Sequence, residues 1–391
     1  KLMQTDVIII GTGISAKLIA LYLSLHRFKV IVFPNQATKE DTANLVTFFS
    51  SGSIKFLSEI LGGYESIADY EKIKQLCCCQ FDQLHKESFE LTFNNNKENF
   101  LGKIIPNKKI NELLDNLILS NENIQISTNE LVNDIKYKHN QIEVITKSSS
   151  SFSGKLLIIA DGKNSMIKRY ADFQFITYDF EQMALSMTVK IDRKNKNIAY
   201  QYFTPDGPLA LLPYSSSYSS IVWSLKKNSN ILKLDKNNLC DQISKILGSV
   251  ANNFEIINLQ KYNLTFSFAK KLFSDRIAII GDTAHSIHPI AGQGLNLIIK
   301  DIVCLTKQLS KYKSLGYDLG DTAALNEYDN LRKSDNVAYS FGTLILDEVF
   351  SIENKHIRKL TNSLFKTFNE NKTLKNYFVN SATGYGYFNN L

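Results

Sequence analysis

Residues 11–16 read Gly11-Thr12-Gly13-Ile14-Ser15-Ala16, a G-x-G-x-x-A turn after a short apolar run. In a strand-turn-helix setting the first glycine permits the tight turn and the second lets a pyrophosphate approach the backbone. The helix N-terminus adds free N–H groups and a positive dipole end, so dinucleotide binding is the chemistry expected here. A tight turn without a ligand is the plainer alternative. A second motif, Ala160-Asp161-Gly162-Lys163-Asn164-Ser165, is A-D-G-x-x-S, which alone marks only a turn. The third is Gly281-Asp282-Thr283-Ala284-His285, followed by His288-Pro289-Ile290-Ala291-Gly292-Gln293-Gly294-Leu295-Asn296. Asp282 is placed to accept hydrogen bonds from a polyol, and Gly292 and Gly294 let a planar ligand lie against backbone. A helix starting near Leu295 would aim N–H groups at it, which suits the anionic N1–C2=O edge of a reduced isoalloxazine. No metal is expected: His285 and His288 sit in a Pro/Gly loop with no nearby cysteine.

These motifs need elements to hold them. Residues 6–11 read as a buried strand, 14–26 as a helix and 28–33 as a second strand, the opening of a doubly wound α/β domain. Residues 41–62 read as helical, closed by Gly62-Gly63, with strands in 77–92, a helix over 108–119 and a strand over 155–159. Between 175 and 265 the pattern changes to strand-like alternation (183–189, 199–203, 209–213 and 220–225). Such a run predicts a mostly antiparallel sheet inserted between pieces of the first domain. A buried strand over 276–281 and a helix over 295–309 then return to that domain, and the serine-rich stretches 148–153 and 215–220 read as solvated turns. The expected fold class is α/β: a Rossmann-like dinucleotide-binding domain (1–75, 101–174 and 266–320) interleaved with a sheet domain (76–100 and 175–265). A helical C-terminus (321–391) completes it.

Composition narrows the classes. At 391 residues with 44% apolar content the chain is long enough for two cores. Its 45 basic and 38 acidic residues leave +7, too mild for a nucleic-acid footprint, so no nucleic-acid partner is expected. No run of uncharged apolar residues is long enough to span a bilayer, and residues 7–16 read as strand and turn rather than a signal peptide. The five cysteines include no C-x-x-C pair, which predicts reduced structural thiols in the cytoplasm.

With these three motifs in this order, the chain resembles the FAD-dependent aromatic hydroxylases of the para-hydroxybenzoate hydroxylase fold. More narrowly, it is similar to the ubiquinone-biosynthesis hydroxylases of the UbiH/Coq6 type. Further carriers are Phe203-Thr204-Pro205-Asp206-Gly207-Pro208-Leu209-Ala210-Leu211-Leu212-Pro213, then Val222-Trp223-Ser224. Tyr328, Arg332 and Asp335, then Ala382 and Gly384, match the C-terminal region, so the likeness covers essentially the whole chain. It implies FAD, NAD(P)H as a transient co-substrate without its own G-x-G-x-x-G turn, O2, and a polyprenylated phenol as substrate. It also implies a C4a-hydroperoxyflavin that hydroxylates the ring, with the protein excluding water.

By the same resemblance Gly11, Gly13, Ile14 and Ala16 line the pyrophosphate, with Asp161 and Gly162 behind it. Asp282 binds the ribityl or phosphate part, and His288 and Pro289 lie near the ring. Gly292, Gly294, Leu295 and Asn296 meet its N1–C2=O edge. Tyr202, Leu211, Leu212, Pro213 and Trp223 are the expected substrate-pocket residues, and no general base is identified. Four positions depart from the family pattern: Pro34 for the ribose carboxylate, Ala16 for a glycine, Lys108 for arginine, and Ile298 for a glycine. A missing charged acceptor costs about 1.5–3 kcal/mol, and lysine keeps arginine's charge without its planar fork.

Two alternatives follow, a flavin-free scaffold descended from the family and another flavin oxidoreductase of the same fold. Residues 355–378 mix Lys355, Arg358, Lys359, Lys366, Lys372 and Lys375 with leucines and phenylalanines. This suits an anionic membrane surface, or else an ordinary packed helix. The resemblance therefore implies a cytoplasmic protein, peripheral on the inner face of the membrane if that surface is used, with other quinone-biosynthesis proteins as partners.

Overall fold

The computed structural model describes residues 5–34, 45–80, 90–94, 100–163, 165, 171–193, 197–286 and 294–351. Elements are numbered in chain order. The first sheet runs β17-β18-β11-β1-β2-β8. Its strands are β1 (Thr5–Ile10), β2 (Val30–Phe33), β8 (Ile124–Ile126), β11 (Ser151–Ile159), β17 (Phe273–Ser274) and β18 (Ile277–Ile279). All are parallel except β17, and β11 continues into an antiparallel pair, β9 (Val132–Lys138) and β10 (Gln141–Thr146). Val7 to Ile10 and Leu156 to Ile159 are continuous buried apolar runs, as strands covered on both faces must be.

Six helices are described: α1 (Ile14–Leu25), α2 (Ser51–Leu61), α3 (Asn107–Leu119), α4 (Lys236–Leu247), α5 (Gly294–Ser314) and α6 (Thr322–Ser351). α1 packs against α3 and α5. Lys17 fastens it to α3, reaching Asn111 Oδ1 at 2.8 Å and Asp115 at 2.7 Å.

A small sheet, β3-β7-β4, consists of β3 (Val46–Ser50), β4 (Lys72–Ile73) and β7 (Gly102–Pro106). Here the expected helix over 41–62 is corrected. Val46-Thr47-Phe48-Phe49 is β-branched and aromatic and pairs with β7, and the helix begins only at Ser51. Ser50 caps it by accepting from Ser53 N–H, and Gly62 closes it in the left-handed conformation at φ 71°.

The remaining sheet runs β19-β16-β12-β15-β14-β13-β5-β6. It comprises β5 (Gln75–Gln80), β6 (Glu90–Asn94), β12 (Phe175–Arg193), β13 (Ile198–Thr204), β14 (Gly207–Pro213), β15 (Tyr218–Lys226), β16 (Ala251–Ala269) and β19 (His285–Ser286). Its neighbours are antiparallel apart from β13 with β5. The expected turns at 148–153 and 215–220 are narrower, since β11 starts at Ser151 and β15 at Tyr218.

The two faces of this sheet differ. Tyr200, Leu209, Leu211, Ile221, Trp223 and Leu225 form a core beneath α4 with Leu239 and Ile243. The opposite face, set by strand alternation, carries Ala184, Ser186, Ala210, Ser220 and Ser224. On that side Ala199, Ala210 and Leu212 pack with Ile73, Ile104 and Phe48 of the small sheet.

Candidate functional site

Gly11 ends β1 with φ +132°, and a Cβ there would lie 2.3 Å from the Ala160 carbonyl oxygen. Only glycine lets β1 and the end of β11 approach so closely. Gly13 is different. It is exposed and forms the N-cap of α1 with no side-chain cap, and no acidic residue stands in the first turn. A Cβ at Gly13 would meet nothing within 4 Å. Among the described residues nothing covers this helix start, a fit for an anionic pyrophosphate on its first-turn N–H groups. Ile14 packs at the edge of the core and Ala16 is fully buried, where a larger residue would collide.

Parallel pairing of β11 with β1 and β18 brings the three motifs to one end of the sheet. Thr283 joins two of them. Its Oγ1 accepts from Gly162 N–H at 2.9 Å and lies 3.3 Å from Asp161 Oδ1 and 3.2 Å from Gly162 O, the two acceptors for its single proton. Gly281, at φ +72°, turns against Ser15 on the first turn of α1, where a Cβ would come within 3.1 Å. Asp282 is exposed at that turn, and Asp161 is buried behind it. Ligands of open α/β sheets lie beyond the carboxyl ends of the strands, which is where these residues stand.

Asn296 does more than its backbone position suggested. Its Nδ2 donates to Phe48 O at 2.8 Å and its Oδ1 accepts from Ser50 N–H at 2.9 Å. The side chain thus tethers the first turn of α5 to β3. Leu295 packs at the edge of the core beside it, and Gly294 is exposed at the helix start. Ile298 is 3% exposed in the main core. Its methyl end reaches toward the Gly281 turn, so the side chain fills protein interior at a position where the resemblance implies glycine.

Behind the turn lies a buried ionic cluster that sequence reasoning missed. Asp301 contacts His285 Nε2 at 2.5 Å and Arg332 Nε at 2.6 Å, and Asn336 joins both Asp301 and Arg332. Burial pushes the Asp301 carboxyl up, yet the adjoining His285 and Arg332 outweigh it and hold it below the usual carboxylate range. The cluster fixes the third motif to α5 and α6.

Other expected residues are placed as follows. Lys108 is exposed in the first turn of α3, and Pro34 directly follows β2. His288, Pro289 and Gly292 lie outside the described residues, as do residues 355–378, Ala382 and Gly384. Of the expected pocket residues, Leu212 faces the small sheet. Tyr202, Leu211 and Trp223 instead belong to the core under α4, because strand alternation turns them away, and Trp223 Nε1 donates to Gly207 O at 3.3 Å. Pro213 is buried at the end of β14.

Comparison with known proteins agrees with this geometry. The ubiquinone biosynthesis monooxygenase COQ6 of Xenopus tropicalis is 26% identical, covering 88% of this chain and 86% of that protein. The 3-demethoxyubiquinol 3-hydroxylase of Escherichia coli (strain K12) is 24% identical over 86% of this chain and 88% of its own length. Ubiquinone hydroxylase UbiL of Rhodospirillum rubrum is 32% identical over 206 residues, and the match spans about half of that protein (47%). Among solved structures, p-nitrophenol 4-monooxygenase PnpA of Pseudomonas putida DLL-E4 shares the fold with a TM-score of 0.79 at 13% identity, covering 97% of this chain and 98% of that one. The FAD binding domain family matches residues 4–334, and the chain belongs to it.

Proposed function

We infer that the chain is an FAD-dependent monooxygenase that hydroxylates the aromatic ring of a polyprenylated phenol in ubiquinone biosynthesis. The observation that carries the reading is the assembly of three motifs around the open end of α1, two of them locked together at Thr283. In the relatives that match over most of their length, the same fold bears names of quinone hydroxylation. The N–H groups after Gly13 hold the pyrophosphate, and Asp161 stiffens the turn through Thr283. Asp282 would accept from ligand hydroxyls, and the start of α5, braced by Asn296, would offer N–H groups to the flavin.

Bound FAD supplies the activation of O2 after reduction by NAD(P)H, chemistry that no side chain here can perform. Phe48, Ile104 and Leu212 pack in one apolar cluster between the small sheet and β14, which would help exclude water from a site beside it. In this reading residues 1–75, 101–174 and 266–320 bind FAD, and 76–100 with 175–265 hold the substrate. The basic and apolar composition of residues 355–378 supports contact with an anionic membrane surface, where a prenylated substrate resides. Among the described residues no helix is long and apolar enough to cross a membrane. The test is bound flavin absorbance in the purified protein, then phenol-dependent NAD(P)H oxidation with a product heavier by one oxygen atom. Absence of flavin even with excess FAD would refute the reading.

A further inference from the structure

We propose that Gln201 orients the substrate, its amide oxygen accepting the hydrogen bond of the ring's phenolic hydroxyl. The proposal rests on the reading above that the substrate is a phenol. Gln201 sits within β13 at 4% exposure, and its Oε1 has no hydrogen-bond partner among the described residues. A desolvated carbonyl oxygen without a donor is costly, and native proteins keep few of them without a use. Tyr200 and Tyr202 on either side point beneath α4, so alternation sends Gln201 to the other face.

That face carries small side chains on the neighbouring strands, Ala184, Ser186, Ala210, Ser220 and Ser224. Gln201 stands in register with Ala210 on β14 and with Cys78 on β5. Burial, reinforced by Cys79 and Cys77, pushes the Cys78 thiol up to about 12, so a neutral group adjoins the proposed hydroxyl. Ala199 and Ala210 meet the small sheet, and β3 of that sheet is tethered by Asn296 to the first turn of α5. Gln201 therefore belongs to the wall that shares the small sheet with the helix end assigned above to the flavin. An amide oxygen accepts a hydrogen bond but does not take the proton. Its role is to fix which way the ring points and to require a hydroxyl at that point, and it is not a general base.

The experiment uses the full chain with FAD bound and follows ligand binding by perturbation of the flavin spectrum. The probes are a short-chain prenylated phenol and its O-methyl ether. The wild type should bind the phenol about tenfold more tightly than the ether, the worth of one buried hydrogen bond. Gln201→Met, similar in volume and without the acceptor, should bind both alike at unchanged FAD content. In turnover it should raise KM and the share of NAD(P)H consumed without product. Equal affinity of the wild type for phenol and ether, or an undiminished preference in Q201M, overturns the proposal. The wild-type comparison needs no variant and stands even if Q201M folds poorly. Protein that holds FAD yet binds neither compound refutes the phenol reading itself, and the proposal with it.

Discussion

Replacing Asp301 by asparagine should unsettle the whole third motif. Asp301, Arg332 and Asn336 are wholly buried and His285 is 1% exposed, so the carboxylate is a countercharge with no solvent contact beside the Arg332 guanidinium. Asp335 also reaches Arg332, at 2.8 Å, but is half-exposed and screened. Removing one partner of a buried pair costs about 3–5 kcal/mol because the other charge remains desolvated. For a chain of this size that corresponds to a fall of roughly 4–6 °C in the unfolding midpoint. Circular dichroism melting of the wild type and D301N near neutral pH measures it.

The acid side of the stability curve supplies a second readout. The folded Asp301 carboxyl titrates below its unfolded value. Its contribution is therefore complete above about pH 4 and fades as pH falls through the folded value. D301N should lack that dependence. The double variant D301L/R332M removes both charges together and should recover most of the loss. A D301N midpoint within about 2 °C of wild type, or a double variant worse than both singles, would refute the reasoning.

Three further outcomes are expected. Gly13→Asp places a carboxylate where the structure is open, so the protein should fold and melt no lower than wild type while FAD retention falls at least about tenfold by absorbance. Thr283→Val removes the hydroxyl shared by Asp161 and Gly162, and should cost about 1–3 kcal/mol in chemical denaturation and weaken FAD binding. Ile298→Gly restores the residue of the family pattern yet empties a filled site, and should destabilise by about 3–5 kcal/mol without improving FAD affinity.

Much of the dinucleotide half was legible, because β1, its glycine turn and α1 announce themselves through a continuous apolar run followed by helical spacing. β3 escaped because only five residues separate its start from the helix that follows without a linker. The long β16 went unassigned because its pairing with β12 shifts register three times, which breaks the two-residue rhythm. In β13 and β14, alternation sorted Tyr200 to Tyr202 and Leu209 to Leu212 into two sets, but α4 and the small sheet decide what covers each. The two bonds of Asn296 join positions 246 and 248 residues apart, which no local pattern foretells.

The strand order of the first sheet has a consequence for synthesis on the ribosome. β11 lies between β1 and β18, and its Leu157-Ile158-Ile159 edge is completed only by Ile277-Ala278-Ile279. At ordinary translation rates that apolar edge waits roughly 6–24 s for its partner. During this interval it is a bare template for pairing with another chain. Newly made protein should therefore depend on chaperone cover, or on early capture of FAD once the last strand arrives. In that sense the cofactor site is a late joint of the fold, since the Gly11 turn must wait for the Gly281 turn that follows Ile277-Ala278-Ile279.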